Sequence, residues 1–229
     1  MKKSGFTLME VLVTLGIIGI VSALTIPSLI QNWQREAYVA QLHKVYNTFS
    51  QAFEREMAEK RASSLYETGL LDIDDEGEYI GLKNFLHENF KVVKDCGDDN
   101  YTECFASEYK SLSGTTRNSD IFGYIVSIAD GTSIALETWG SSETEYSVGT
   151  IIVDTNGTQG PNIAGRDFFR MYIYGDGTID DYNIDKECLK DADCARERRQ
   201  SNFEEYCMNP NDTDGCFGRI LNDNWTMKY

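Results

Sequence analysis

Six thiols, one turn crowded with oxygen donors and one acid inside an apolar run are the residues of this chain that invite chemistry. The thiols are Cys96, Cys104, Cys188, Cys194, Cys207 and Cys216. Cysteine of this kind binds zinc, reacts as thiolate or pairs as disulfide. No Cys-x-x-Cys spacing occurs, and His43 and His87 lie far from the cysteines, which argues against zinc. An even count fits disulfides in an oxidising compartment. Short separations favour Cys96–Cys104 and Cys207–Cys216, which leaves Cys188–Cys194. A crossed pairing among the last four is the alternative, because sequence alone does not fix connectivity.

The oxygen-rich turn is D-T-N-G-T-Q-G-P-N, with Asp154, Asn156 and Asn162 as hard donors suited to calcium. The EF-hand pattern fails: Gln159 stands where glycine is needed and Gly165 where the bidentate glutamate belongs. The plainer reading is an Asn/Gly/Pro turn between strands that needs no ion. Asp176, Asp180 and Asp181 read in the same way, as a hairpin and a solvated edge. His87 reads as a helix-surface residue. No G-x-S-x-G, H-E-x-x-H or Walker A pattern is present, and Gly157, Gly160 and Gly165 have the wrong spacing for a dinucleotide loop. No cofactor is expected beyond the calcium candidate, and no enzyme activity.

The isolated acid is Glu10. It sits in MKKSGFTLMEVLVTLGIIGIVSALTIPSLI, behind Lys2 and Lys3, and no charge follows it from Val11 to Ile26. As a helix, Phe6–Ile30 would be about 37 Å long at about 1.5 Å per residue, enough to cross a bilayer. The basic start predicts a cytoplasmic N-terminus with the remainder exported. An ordinary secretory signal has no use for a carboxylate near the start of its apolar core. The run G-F-T-L-M-E, the two lysines before it and Pro27 after it resemble the leader of type IV pilins and type II secretion pseudopilins.

That resemblance implies cleavage between Gly5 and Phe6 by a prepilin peptidase and methylation of the new amine on Phe6. It implies assembly through Glu10 and the Pro27-containing helix, first as a membrane anchor and then as filament core. The partners implied are other pilin or pseudopilin subunits, the peptidase, the membrane and an inner-membrane assembly platform. The location implied is the bacterial inner membrane, single-pass with an extracytoplasmic head, and then a surface pilus or periplasmic pseudopilus. The competing function is an anchored binding protein for calcium, glycan or another surface protein that never polymerises; a simple anchor gains nothing from Glu10.

The elements that must position these residues follow from patterning. Tyr38, Leu42, Val45, Tyr46, Phe49 and Phe53 recur at three- and four-residue spacing, the mark of an amphipathic helix. Pro27 predicts a kink or local melting near Thr25–Pro27. Leu82–Phe90 has short helical periodicity, Lys94–Glu103 reads as a cysteine-bounded loop, and Lys190–Tyr206 as a helix. FGYIVSIA and TSIALET flank Asp130-Gly131, a hairpin signal. VGTIIVD and DFFRMYIY add strands, with a further one after a second Asp-Gly turn. The C-terminal stretch either returns a short strand or docks through Ile220, Leu221 and Trp225.

The expected fold is α+β and pilin-like: a long N-terminal helix, transmembrane in its first half, packed on an antiparallel sheet of roughly four or five strands, with disulfide-stabilised loops. Its parts are a leader (1–5), the helix (6–61, with 6–30 in the membrane or filament core) and a head (62–229). The net charge of −16 argues against wholesale nucleic-acid binding, although Arg196, Arg198 and Arg199 cluster locally. Four Asn-x-Ser/Thr sequons, at Asn100, Asn156, Asn211 and Asn224, carry no weight without a glycosylating host.

Overall fold

The structure is a computed structural model that describes residues 7–72, 79–98, 100–118, 121–139 and 147–229. The chain divides into two compact units, 1–37 and 38–229. In chain order the elements are α1 (Leu8–Lys60), α2 (Ile80–Asn89), β1 (Val92–Gly97), β2 (Glu108–Lys110), β3 (Thr116–Asn118), β4 (Tyr124–Ile128), β5 (Ser133–Thr138), β6 (Gly149–Asp154), β7 (Phe168–Ile173), β8 (Ile179–Asp180), α3 (Lys186–Leu189), α4 (Ala192–Asn202) and α5 (Phe217–Asn222), with short 3-10 and π turns between them.

The first unit is the N-terminal part of α1. Its apolar side chains are exposed, Leu8, Leu24 and Leu29 among them. Helix runs unbroken through Pro27, so the local melting expected there does not occur. Proline removes the one amide donor to Ala23 O without ending the helix; the hydroxyls beside it bond other carbonyls, Thr25 Oγ1 to Val21 O and Ser28 Oγ to Thr25 O, both at 2.9 Å. At its far end α1 stops on Arg61, whose φ of 54° is left-handed. Ala62 N donates to Met57 O and Arg61 N to Ala58 O, the paired bonds of a Schellman stop.

The second unit is built on a sheet of order β1-β4-β5-β6-β7-β8, antiparallel throughout. Six strands form it where roughly four or five were expected. The addition is β1, which occupies the start of the supposed loop Lys94–Glu103. Its register on β4 is broken at two places, and its exposed residues do not alternate, so period-two patterning is absent from its sequence. The strand after the second Asp-Gly turn is the two-residue β8.

One sheet face receives the amphipathic stripe. Val39, Leu42, Val45, Phe49, Ala52 and Phe53 of α1 share a core with Val126, Leu136, Ile151, Val153, Phe169 and Met171. Phe49 has no exposed surface and meets the rings of Phe53, Phe85 and Phe90 at centroid distances of 5.7, 6.0 and 4.8 Å. Alternate residues of the same strands, Ile125, Ala135, Ile152 and Phe168, form a second core with Phe105 and Tyr109 on the opposite face. The C-terminal stretch docks rather than adding a strand: Ile220 on α5 is buried, and Trp225 stacks on His43 at 3.9 Å and meets Tyr46 edge-on. At Gly123, with φ of 91°, a Cβ would lie 2.2 Å from Leu136 O, so only glycine fits the entry to β4.

Candidate functional site

Gly5 and Phe6, the expected cleavage site, lie outside the described residues. Glu10 is in the first turn of α1. Its Oε2 accepts from both the N–H and the hydroxyl of Thr7, each at 2.8 Å, while Glu10 N–H donates back to Thr7 Oγ1 at 3.3 Å. This is a capping box: threonine and glutamate three apart satisfy each other's orphan donors at a helix start. Its sequence signal is T-L-M-E, hidden in a linear reading by the apolar residues around it. The box holds the carboxylate at the N-terminal end of the helix, where the macrodipole also favours negative charge. Beyond it, α1 carries a stretch of mean hydropathy 2.2 with none of its side chains buried, the one described helix long and apolar enough to cross a membrane.

Asp154, Asn156 and Asn162 are brought into one loop. Asp154 ends β6 with no exposed surface. Its carboxylate accepts from the hydroxyl of Tyr109 and, at 3.0 Å, from Asn156 N–H. Asn156 Nδ2 donates to Gln159 O and Gly160 O. Asn162 contributes its backbone, N–H to Asp167 Oδ2 at 2.8 Å, and Ile163 N–H donates to Asp167 Oδ1. The arrangement knots a loop around two buried carboxylates. Burial pushes the Asp154 carboxyl up to about 8; the Tyr109 hydrogen bond works against this and Asp167 reinforces it. Among the described residues no group of three or more His, Cys, Asp and Glu is placed to hold a metal ion.

The cysteines are all paired, as Cys96–Cys104, Cys188–Cys194 and Cys207–Cys216, with Cα–Cα distances of 6.4, 5.1 and 4.9 Å. Each bond closes a short local loop. His87 is on the surface of α2, with Nε2 2.9 Å from Asp95 Oδ2. In the arginine cluster, Arg199 is committed to Asp180 through Nε at 2.7 Å and through Nη2.

A long apolar N-terminal helix followed by a disulfide-bonded antiparallel sheet defines an α+β protein of pilin-like architecture, consistent with a single-pass membrane anchor. The prokaryotic N-terminal methylation motif matches residues 1–26, so the chain carries the signal motif of type IV pilins and pseudopilins. The motif points to a processed structural subunit, and in general to prepilin peptidase and other pilin subunits as partners. No curated protein and no solved structure matches the chain.

Proposed function

We propose that the chain is a minor pilin or pseudopilin, a structural subunit without enzymatic activity, that enters a type IV pilus or a type II secretion filament through its N-terminal helix. On this reading residues 1–5 are a leader removed by prepilin peptidase, Phe6 is methylated, and an inner-membrane platform assembles the mature subunit. The region 62–229 is the extracytoplasmic head, where an oxidising compartment suits three disulfides. The observation that carries the proposal is Glu10, one carboxylate at the head of an uncharged apolar helix within the methylation motif.

Cleavage would create a cationic amine on Phe6, one helical turn from Glu10. Such an amine needs an anionic partner in a low-dielectric helical core. The pair can form within a subunit or across a stagger to its neighbour. In the second case it fixes register, because an apolar helix slides freely against another and a buried charge pair does not. Asp154, Asn156 and Asn162 serve here as turn builders.

The test is Glu10→Gln, which keeps shape and removes charge. The expected variant is exported and cleaved normally but is poorly incorporated into filaments sheared from cells, with membrane levels measured in parallel. Equal incorporation would remove Glu10 from docking and favour a subunit held in the filament by head contacts alone. A mature chain beginning near Ala23 instead of methylated Phe6 would sink the whole reading.

A further inference from the structure

The second unit carries a groove of about 600 Å³ where residues 102–107, at the end of the Cys96–Cys104 loop and just beyond it, the β2–β3 hairpin and the loop 155–167 converge. That volume is in the class of small-molecule sites. Its walls are tied to one another. Lys110 N–H donates to Asn162 O and Ala164 N–H to Lys110 O, both at 2.8 Å, joining β2 to the loop. The loop is held in turn by Asp167, which accepts from Asn162 and Ile163. Tyr109, buried under β2, accepts from Ala106 N–H and donates to Asp154. A cavity with cross-tied walls is formed before any ligand arrives, so binding there costs little ordering.

The chemistry of the lining selects the ligand. Thr102, Thr116 and Thr158 are exposed and offer hydroxyls, and Asn162 adds an amide side chain. None of these carries charge at any physiological pH. Glu108 and Lys110, two apart on one strand, point to the same side, so their opposite charges cancel at the rim. Ala106 and Pro161 supply a small carbon surface, backed by the fully buried Phe105. A peptide strand finds no ladder on Lys110, whose N–H and C=O are both spent. A polyanion meets a chain of net charge −16. What remains is an uncharged ligand rich in hydroxyls with a modest carbon face. We propose that this groove binds a neutral saccharide.

The test uses the full-length protein in a zwitterionic detergent, because glycosidic detergents would compete. It is applied to an array of neutral and anionic glycans, and retained glycans are titrated by saturation-transfer NMR. Neutral glycans are expected to be retained with Kd of about 1 mM or tighter. Thr158→Trp and Thr102→Trp, which fill the groove from two different segments of its lining, are each expected to weaken binding about tenfold or more with an unchanged melting temperature. Two fillings are used so that loss of fold in one leaves the other to decide. Retention of no glycan, retention of anionic glycans alone, or binding undiminished in a folded filling variant would overturn the proposal. The readout does not pass through the N-terminal segment, so it stands or falls separately from filament assembly.

Discussion

Asp154 and Asp181 are carboxylates that folding has taken out of water, so Asp181, with the likewise buried Asp180, does not lie on the solvated edge expected for them. Burial lifts Asp154 to about 8 and Asp181 to about 7, in each case as the largest effect. An unfolded aspartate titrates near about 3.9. A folded pKa above the unfolded one gives stability that is complete below about pH 4 and is lost as pH rises through about 7 to 8. Asp95 and Asp130 act in the opposite sense: burial is outweighed by hydrogen bonds, led by Tyr124 for the first and Lys44 for the second, and both lie below their ordinary value. Their contribution is lost only in acid. The melting temperature of the protein in detergent is therefore expected to fall between about pH 5 and about pH 9. Asp154→Asn, which keeps the shape and removes the titration, is expected to flatten that fall. A melting curve of the variant parallel to wild type across this range would count against a buried, protonated Asp154. Because this loop is closed by its own hydrogen bonds, a chelator is expected to leave the melting temperature unchanged; a clear drop on adding EDTA, reversed by calcium, would restore the ion to Asp154, Asn156 and Asn162.

At the scale of elements, α1 is two different helices in one run. Its first part is held by backbone bonds and the Thr7–Glu10 box, and its apolar surface is exposed, consistent with a membrane anchor. From Val39 onward it is held by the sheet. Phe49 is the centre of that contact, with aromatic neighbours from α1, from α2 and from the turn into β1. Phe49→Ala removes a ring from a close-packed site that cannot fully collapse, at a cost of about 3–5 kcal/mol. Chemical denaturation followed by tryptophan fluorescence should show this as a lower midpoint with an unchanged slope. A loss below about 1 kcal/mol would mean that the helix does not anchor the sheet.

At the scale of the molecule, contacts between distant parts of the sequence set the second unit. Trp225 stacks on His43 and meets Tyr46 and Phe217, while Met227 is buried. The short loops closed by the three disulfides cannot make such a contact; they stiffen what lies between near neighbours. Docking of 217–229 on α1 therefore depends on aromatic packing. Trp225→Ala is expected to cost about 1–3 kcal/mol, because the ring is partly exposed. Amide exchange should also quicken in α5 before it does in β5 or β6. Uniform exchange across the sheet and α5 would show that the docking is not a separate unit.

The sequence by itself determined the parts whose signal is local. Periodicity at three and four residues marked the buried stripe of α1, Asp130-Gly131 marked the β4–β5 turn, and the apolar run with one acid marked the N-terminal motif. These are legible because a helix face, a tight turn and a hydrophobic span are each decided within a few residues. The tertiary structure decided the rest. β1 became a strand because the free edge of β4 was available, not because Val92–Gly97 alternates. The pairing of the last four cysteines was settled by the fold of α3, α4 and α5, which brings each cysteine to its near neighbour in sequence. The turn at Asp154–Asn162 owes its geometry to Tyr109, on another strand, and to Asp167 beyond it. The groove exists only because the stretch 102–116 meets the loop 155–167, far from it in the chain. Long-range pairing and burial depend on what the remainder of the chain presents, and no window of sequence contains that information.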